Sequence, residues 1–280
     1  RLGQLELRAP IASGGMGTVY RAFDEMLLRE VAVKLMRKEL LEDREAVESF
    51  QREARACGAL NHTNIIHIYA FDQVNGQLYL VMELADRGSL DSRIEKEQRV
   101  PELDILDIGI KVAGALDSAL KKNLLHRDIK PGNILFNAEG EPKLVDFGLA
   151  GRVIRPNCAT GPYGAPEVWG VLPDDFRGEP SPIAADVYAF GALAYEVFTG
   201  HTLFDADSEV AIIGKHLVHD GHPPELDRLA HIRPLVELLE HTLRHDPRKR
   251  WSVSDVRAAL RAIPRDARDE GIVAARDYAL

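Results

Sequence analysis

The chain has 280 residues, 45% of them hydrophobic and 28% charged, and a formal net charge of -9. That apolar content is enough for a sizeable core and excludes a disordered chain, while the acidic balance argues against a nucleic-acid partner, which needs a basic face. Its two cysteines, Cys57 and Cys158, form neither a disulfide framework nor a CxxC pair, so the expected compartment is the reducing cytoplasm.

The first third reads as strands with one helix. "VAVKL" alternates, with Val31, Val33 and Leu35 on one face and Ala32 and Lys34 on the other. The spacing over Glu39 to Leu60 predicts a helix with Ala46, Phe50, Ala54 and Cys57 on one stripe. "GQLYLVMEL" then predicts a hairpin arm leading into the turn "DRGSL". Beyond that turn the texture becomes helical. Ile105, Ile108, Val112 and Leu116 mark one helix, and the short apolar runs "NLL", "NILF" and "KLV" follow with turn residues between them.

The most apolar segment, Ile183 to Gly200, approaches the length of a membrane span but carries Asp186 and Glu196, so it reads as a core helix. No charged stretch followed by an apolar one opens the chain, which starts at Arg1. No membrane segment is expected within it, and the cytoplasmic domain of a longer, anchored protein is a compatible setting. Near the end, "SVSDV" predicts a capped helix start. The economical arrangement is an α+β fold of two lobes: residues 1–84 as a small antiparallel sheet with one helix, 85–263 as a larger, mainly helical lobe, and 264–280 as a tail or the start of a linker.

Two charges need partners. Glu53 lies three residues after Phe50 and four before Cys57, on or beside an apolar stripe where an unpaired carboxylate is expensive. Lys34 shares a strand face with Ala32, which is small enough to leave room for something flat. Pairing Lys34 with Glu53 satisfies both.

Around that pair, "SGGMGTVYRAFD" (13–24), "HRDIKPGN" (126–133), "DFG" (146–148) and "APE" (165–167) follow in one order. With them the chain resembles the serine/threonine protein kinases, most closely their bacterial members, from about Leu5 to Ile263. The resemblance implies the bilobal kinase fold and transfer of the γ-phosphate of ATP to a serine or threonine hydroxyl of a protein. It implies Asp128 as catalytic base, Lys130 neutralising charge on the moving phosphoryl group, and Lys34 holding the α- and β-phosphates under the orientation of Glu53. Asn133 and Asp146 would bind magnesium, with manganese as a substitute. Around adenine it places Val19, Ala32 and Leu135, with Met82 guarding the back pocket and the backbone of Glu83 and Ala85 on the adenine edge. Cys57 falls in an internal apolar column with His126 and Phe147. Asp186 would hold the backbone of "HRD", and Glu167 would pair with Arg250.

Departures from the family pattern carry their own expectations. The glycine loop "ASGGMG" keeps Gly14 and Gly17 but has Ala12 at the first position, so nucleotide binding is expected to weaken modestly at most. Arg127 commonly receives a loop phosphate in this family, yet Ala150 to Glu167 offers only Thr160 as a hydroxyl of that type. Thr160 matches the threonine that supports Asp128 and Lys130, so a structural role is expected for it. A carboxylate of Asp174, Asp175 or Glu179 is a candidate replacement for the phosphate, against the reading of that stretch as a solvated loop insertion, and a homodimer or an activating partner is a candidate switch. Gly132 and Ser89 stand where acids would read a basic residue upstream of the acceptor, so no strong arginine preference is expected. The alternative class is a pseudokinase, a scaffold that binds nucleotide or a partner without efficient transfer.

Overall fold

The computed structural model describes residues 1–97, 102–147, 161–219, 221–230 and 232–263. Gly148, Cys158, Thr160 and the tail 264–280 lie outside the described residues.

Five strands form one antiparallel sheet: β1 (Leu5–Ser13), β2 (Gly17–Asp24), β3 (Arg29–Met36), β4 (Ile68–Val74) and β5 (Gln77–Met82), in the order β1-β2-β3-β5-β4. Alternation along β3 divides the sheet into two faces. Val31 and Val33 pack with Leu2, Leu5, Ala22, Tyr79 and Val81 on one side. Ala32 and Lys34 point the other way, opposite Met82 and Leu80 of β5, with Val19 of β2 across from Lys34. The β4–β5 hairpin turns at Asn75 and Gly76, both with positive φ (50° and 82°), the backbone that a two-residue Asn-Gly turn provides with little strain.

Helix α1 (Arg44–Gly58) covers the second face of the sheet, where Phe50 and Ala54 pack with Met36, Leu78 and Leu80. It starts five residues later than the apolar spacing predicts. Asp43 accepts hydrogen bonds from the backbone N–H of Glu45 and Ala46 and so fixes the start, while Lys38–Leu40 forms a separate 3-10 turn.

The remaining elements are mostly helical: α2 (Leu90–Glu97), α3 (Glu102–Leu120), α4 (Pro182–Thr199), α5 (Glu209–Val218), α6 (Arg233–Thr242) and α7 (Val253–Ala262), with the short ribbon β6 (Ile134–Phe136) and β7 (Pro142–Leu144). Of the three short apolar runs, "NILF" and "KLV" contribute strands and "NLL" does not. Helix α4 is the buried centre, with Tyr188 and Tyr195 fully enclosed, and it stops at Gly200, whose φ of 74° ends the helix in the left-handed conformation. Helix α7 opens with the predicted capping box between Ser252 and Asp255. Among the described residues, no helix is long and apolar enough to cross a membrane.

Beneath residues 161–163, the hydroxyl of Tyr188 lies 2.8 Å from Nδ1 of His216 and 2.6 Å from Nε2 of His219. His216 is fully buried. Burial therefore pushes its pKa down to about 4. The unfolded chain takes up a proton on this histidine below its ordinary pKa near 6.5, while the folded chain stays neutral until about pH 4. Stability present above that ordinary value is lost as pH falls through this window, by about 2 kcal/mol at pH 5. Urea unfolding at pH 7 and pH 5 checks this: the difference between the two is expected to shrink in His216→Phe, and an unchanged difference excludes His216 as its source.

Candidate active site

A cavity of about 530 Å³ lies between the sheet and the β6–β7 ribbon. Its upper wall carries Val19, Ala32 and Lys34, its outer rim the 12–17 loop, and its floor Leu135 and Val145. Met82, Glu83 and Ala85 line the side where the chain leaves β5, and Asp128, Asn133 and Asp146 line the opposite end.

Lys34 donates to both oxygens of Glu53, at 2.7 and 2.8 Å. Burial works against the Lys34 charge, but the carboxylates of Glu53 and Asp146 outweigh it and hold the ammonium pKa above the ordinary lysine value. The strand presents the lysine and the helix presents the glutamate, so the pair also fixes where α1 sits against the sheet.

The loop carrying Asp128 is held by buried groups. Asp186 at the start of α4 accepts from the backbone N–H of His126 at 2.9 Å and of Arg127 at 2.6 Å. Burial raises the Asp186 pKa, and these amides together with the nearby His126 and Arg127 side chains oppose the rise. The His126 ring contacts the carbonyl of Val145 through Nε2 at 2.8 Å and packs edge-on against Phe147 at 4.7 Å. Two residues on this loop system hold left-handed backbone, Arg127 (φ 68°) and Asp146 (φ 66°). Such strain in a residue with a side chain costs about 1–3 kcal/mol and persists where the surroundings over-determine it.

Asp128 Oδ2 lies 2.7 Å from Lys130 Nζ. Asn133 donates through Nδ2 to the Asp128 carbonyl at 2.8 Å and to Oδ2 at 3.0 Å, which leaves its Oδ1 as the atom to face a cation. Among the described residues, no group of three or more histidine, cysteine, aspartate or glutamate side chains is gathered for a metal. A divalent ion here would take few protein oxygens and complete its shell with phosphate and water, the habit of magnesium. The donor set of Asn133 and Asp146 fits that ion.

Several details refine the sequence expectation. Gly17 serves the sheet: a Cβ there would lie 2.1 Å from the carbonyl oxygen of Leu35. Gly14 has open space, and its N–H closes the loop onto the Gly17 carbonyl at 2.9 Å. Ala12 sits in β1 opposite Val19 and is not among the positive-φ residues, so its methyl brings no backbone strain. The Glu83 N–H donates to the His67 carbonyl at 2.8 Å, which leaves only its carbonyl for an adenine edge.

The carboxylate proposed for Arg127 needs correction. Asp175 pairs with Arg248 at 3.0 Å, and among the described residues neither Nε nor Nη1 of the half-buried Arg127 has a hydrogen-bond partner. Asp174 and Glu179 are exposed, and among the described residues neither pairs with Arg127. The local charge of Arg248, already held by Asp246, captures Asp175 instead.

The back wall was missed in the sequence. Cys57, Ile66, Ile68 and Leu80 line it with Met82, and alternation along β5 was the available signal for Leu80. Burial pushes the Cys57 thiol up to about 12, so it is a wall residue and not a nucleophile. The expected Glu167–Arg250 pair is formed with both side chains 1% exposed, at 2.5 and 2.8 Å.

Residues 5–260 match the protein kinase domain family, so the chain belongs to that family and has its α+β fold. Within it the chain is of the bacterial serine/threonine kinase type. It is 36% identical over 270 residues to the serine/threonine-protein kinase PknA of Mycobacterium tuberculosis, covering 93% of this chain and 62% of that protein. To serine/threonine-protein kinase PknL of the same organism it is 34% identical over 232 residues, covering 80% of this chain and 58% of PknL. The chain thus spans less than two thirds of the length of either relative. The family is one of ATP-dependent phosphotransferases that use a divalent metal and act on proteins.

Proposed function

We propose that this chain transfers the γ-phosphate of ATP, with magnesium, to serine or threonine hydroxyls of a protein substrate. The observation that carries this reading is the convergence on one cavity of Lys34, Glu53, Asp128, Asn133 and Asp146. Val19, Ala32 and Leu135 offer the flat apolar slot for adenine, with the Glu83 carbonyl and the Ala85 backbone on its polar edge. Lys34, kept charged and aimed by Glu53, holds the phosphates. Asn133 and Asp146 would hold the metal, which supplies positive charge where phosphate oxygens gather.

Asp128 receives the proton of the acceptor hydroxyl at its carboxylate. Lys130, 2.7 Å from it, balances that carboxylate and meets the negative charge of the phosphoryl group. Arg127 belongs to regulation in this reading, and Thr160 supports Asp128 and Lys130 through its unmodified hydroxyl. A homodimer or activating partner would then take the place of a loop phosphate. Transfer depends here on position and charge more than on covalent chemistry, so the ordered Lys34–Glu53 pair favours a catalyst over the scaffold alternative.

We also keep the lobe boundary near Ala85. Two apolar clusters end within the sheet and α1, and the third spans the helical part. That third cluster reaches back to Ala56, Cys57, Leu60, Ile65 and Ile66, so the end of α1 and the loop after it pack with the larger lobe. The free buried thiol of Cys57 and the need for ATP support a cytoplasmic setting.

The test is transfer of labelled γ-phosphate from ATP to a generic protein acceptor, followed by phosphoamino-acid analysis. Label is expected on serine or threonine, and chelation of divalent metal is expected to abolish it, with added magnesium restoring it. Binding of ATP without transfer under any metal would favour the scaffold.

A further inference from the structure

Glu83 is the first residue after β5, where the chain leaves the sheet and passes the adenine side of the cavity. Its carboxylate is engaged elsewhere. Oε1 accepts from Lys143 Nζ at 2.6 Å, with Asn137 Nδ2 at 3.4 Å, and Oε2 accepts from the His67 backbone N–H at 3.3 Å. Lys143 lies in β7 with its side chain 9% exposed. Its cross-strand neighbour in β6 is Leu135, on the cavity floor, and three residues further along the chain is Asp146.

The same ribbon is tied to the loop after α1. Leu144 N–H donates to the Asn64 carbonyl at 2.8 Å, Ile66 N–H to the Leu144 carbonyl at 3.0 Å, and Asn64 Nδ2 to the Pro142 carbonyl at 3.0 Å. One charge pair, with Lys143 9% and Glu83 17% exposed, therefore connects the exit from the sheet to the hairpin that presents both the apolar floor and the metal-binding aspartate.

From this arrangement we infer that the Glu83–Lys143 pair is a positioning clasp, which sets the exit strand against the cavity floor and thereby preorganises the adenine slot. A buried ion pair is a weak source of stability, because apolar residues of similar size do as well once both charges are removed. What the pair does supply is direction. The lysine pulls the Glu83 side chain toward β7, away from the nucleotide, and with it fixes the orientation of the Glu83 carbonyl. Neither residue touches the reacting atoms, so their effect falls on nucleotide affinity and not on the chemical step. The inference rests on the cavity being a nucleotide site.

The experiment is calorimetric titration of ADP with magnesium into the wild-type chain, Lys143→Met, Lys143→Arg and Glu83→Gln. Thermal unfolding and steady-state kinetics are recorded in parallel. Loss of preorganisation is expected to weaken ADP about tenfold in Lys143→Met, with KM for ATP rising alike and kcat within about threefold of wild type. Lys143→Arg keeps the charge and is expected to recover most of the affinity. Glu83→Gln keeps the shape and should fold even if Lys143→Met does not, and it too is expected to bind ADP more weakly. Folded Lys143→Met and Glu83→Gln chains that bind ADP like wild type overturn the clasp, as does a fall in kcat with affinity unchanged. A wild-type chain that binds no ADP overturns the nucleotide reading and the clasp together.

Discussion

Replacing Asp128 with asparagine is expected to lower kcat by about a hundred- to ten-thousand-fold, the range for removing a general base, while KM for ATP and ADP affinity stay near wild type. Asparagine has the same shape and keeps an oxygen for the Asn133 amide, which also bonds the Asp128 carbonyl at 2.8 Å. The loop geometry is therefore retained, since the bonds from Asp186 to the His126 and Arg127 amides do not involve the Asp128 side chain. What disappears is the proton acceptor and the negative partner of Lys130. Phosphate transfer by the purified variant beside wild type measures the effect, and a kcat within about tenfold of wild type would remove Asp128 from the role of base.

The second large effect is on stability. Arg250→Met is expected to destabilise the fold by about 3–5 kcal/mol, because Glu167 would remain as an uncompensated charge in a site closed to water. Arg250 also donates to the backbone carbonyls of Arg244, Ala184 and His245, so its loss frees four acceptor groups around the start of α4. For a chain of this size the loss corresponds to a fall in Tm of roughly 5–9 °C. Removing both charges in Glu167→Gln/Arg250→Met is expected to recover part of that loss, which separates the cost of a stranded charge from the cost of lost packing. Calorimetric unfolding of the single and double variants decides this. A single variant that melts within about 2 °C of wild type, a loss near 1 kcal/mol, would show that water reaches Glu167 after all.

Much of the site was legible because it depends on local periodicity. Period-two alternation put Lys34 and Ala32 on one face of β3, and helical spacing put Glu53 beside the stripe of α1, so their pairing followed from the cost of leaving either charge alone. The motif order supplied the loops. The capping box at Ser252 is equally local, since both partners lie within one turn.

Helix α1 shows where that reading gives out. The apolar stripe extends back to Glu39, yet the helix begins only after Asp43, because a side-chain cap competes successfully with a weak periodic signal at a helix end. The candidate pairing of Asp174, Asp175 or Glu179 with Arg127 failed for a different reason. Asp175 met Arg248, 73 residues away and already oriented by Asp246.

The sequence by itself determined the strand and helix faces, the caps, the loop motifs that gather at the cavity and the family, all set by spacing within a few residues or by motifs in order. Only the tertiary structure decided the back wall of Cys57, Ile66 and Ile68, the structural duty of Gly17 against Leu35, and the partnering of Glu83 with Lys143 and Asp175 with Arg248. The physical reason is that a charge or a cavity wall is completed by whichever group the packing brings within a few ångströms. That choice depends on how separate elements dock, and no local period records it.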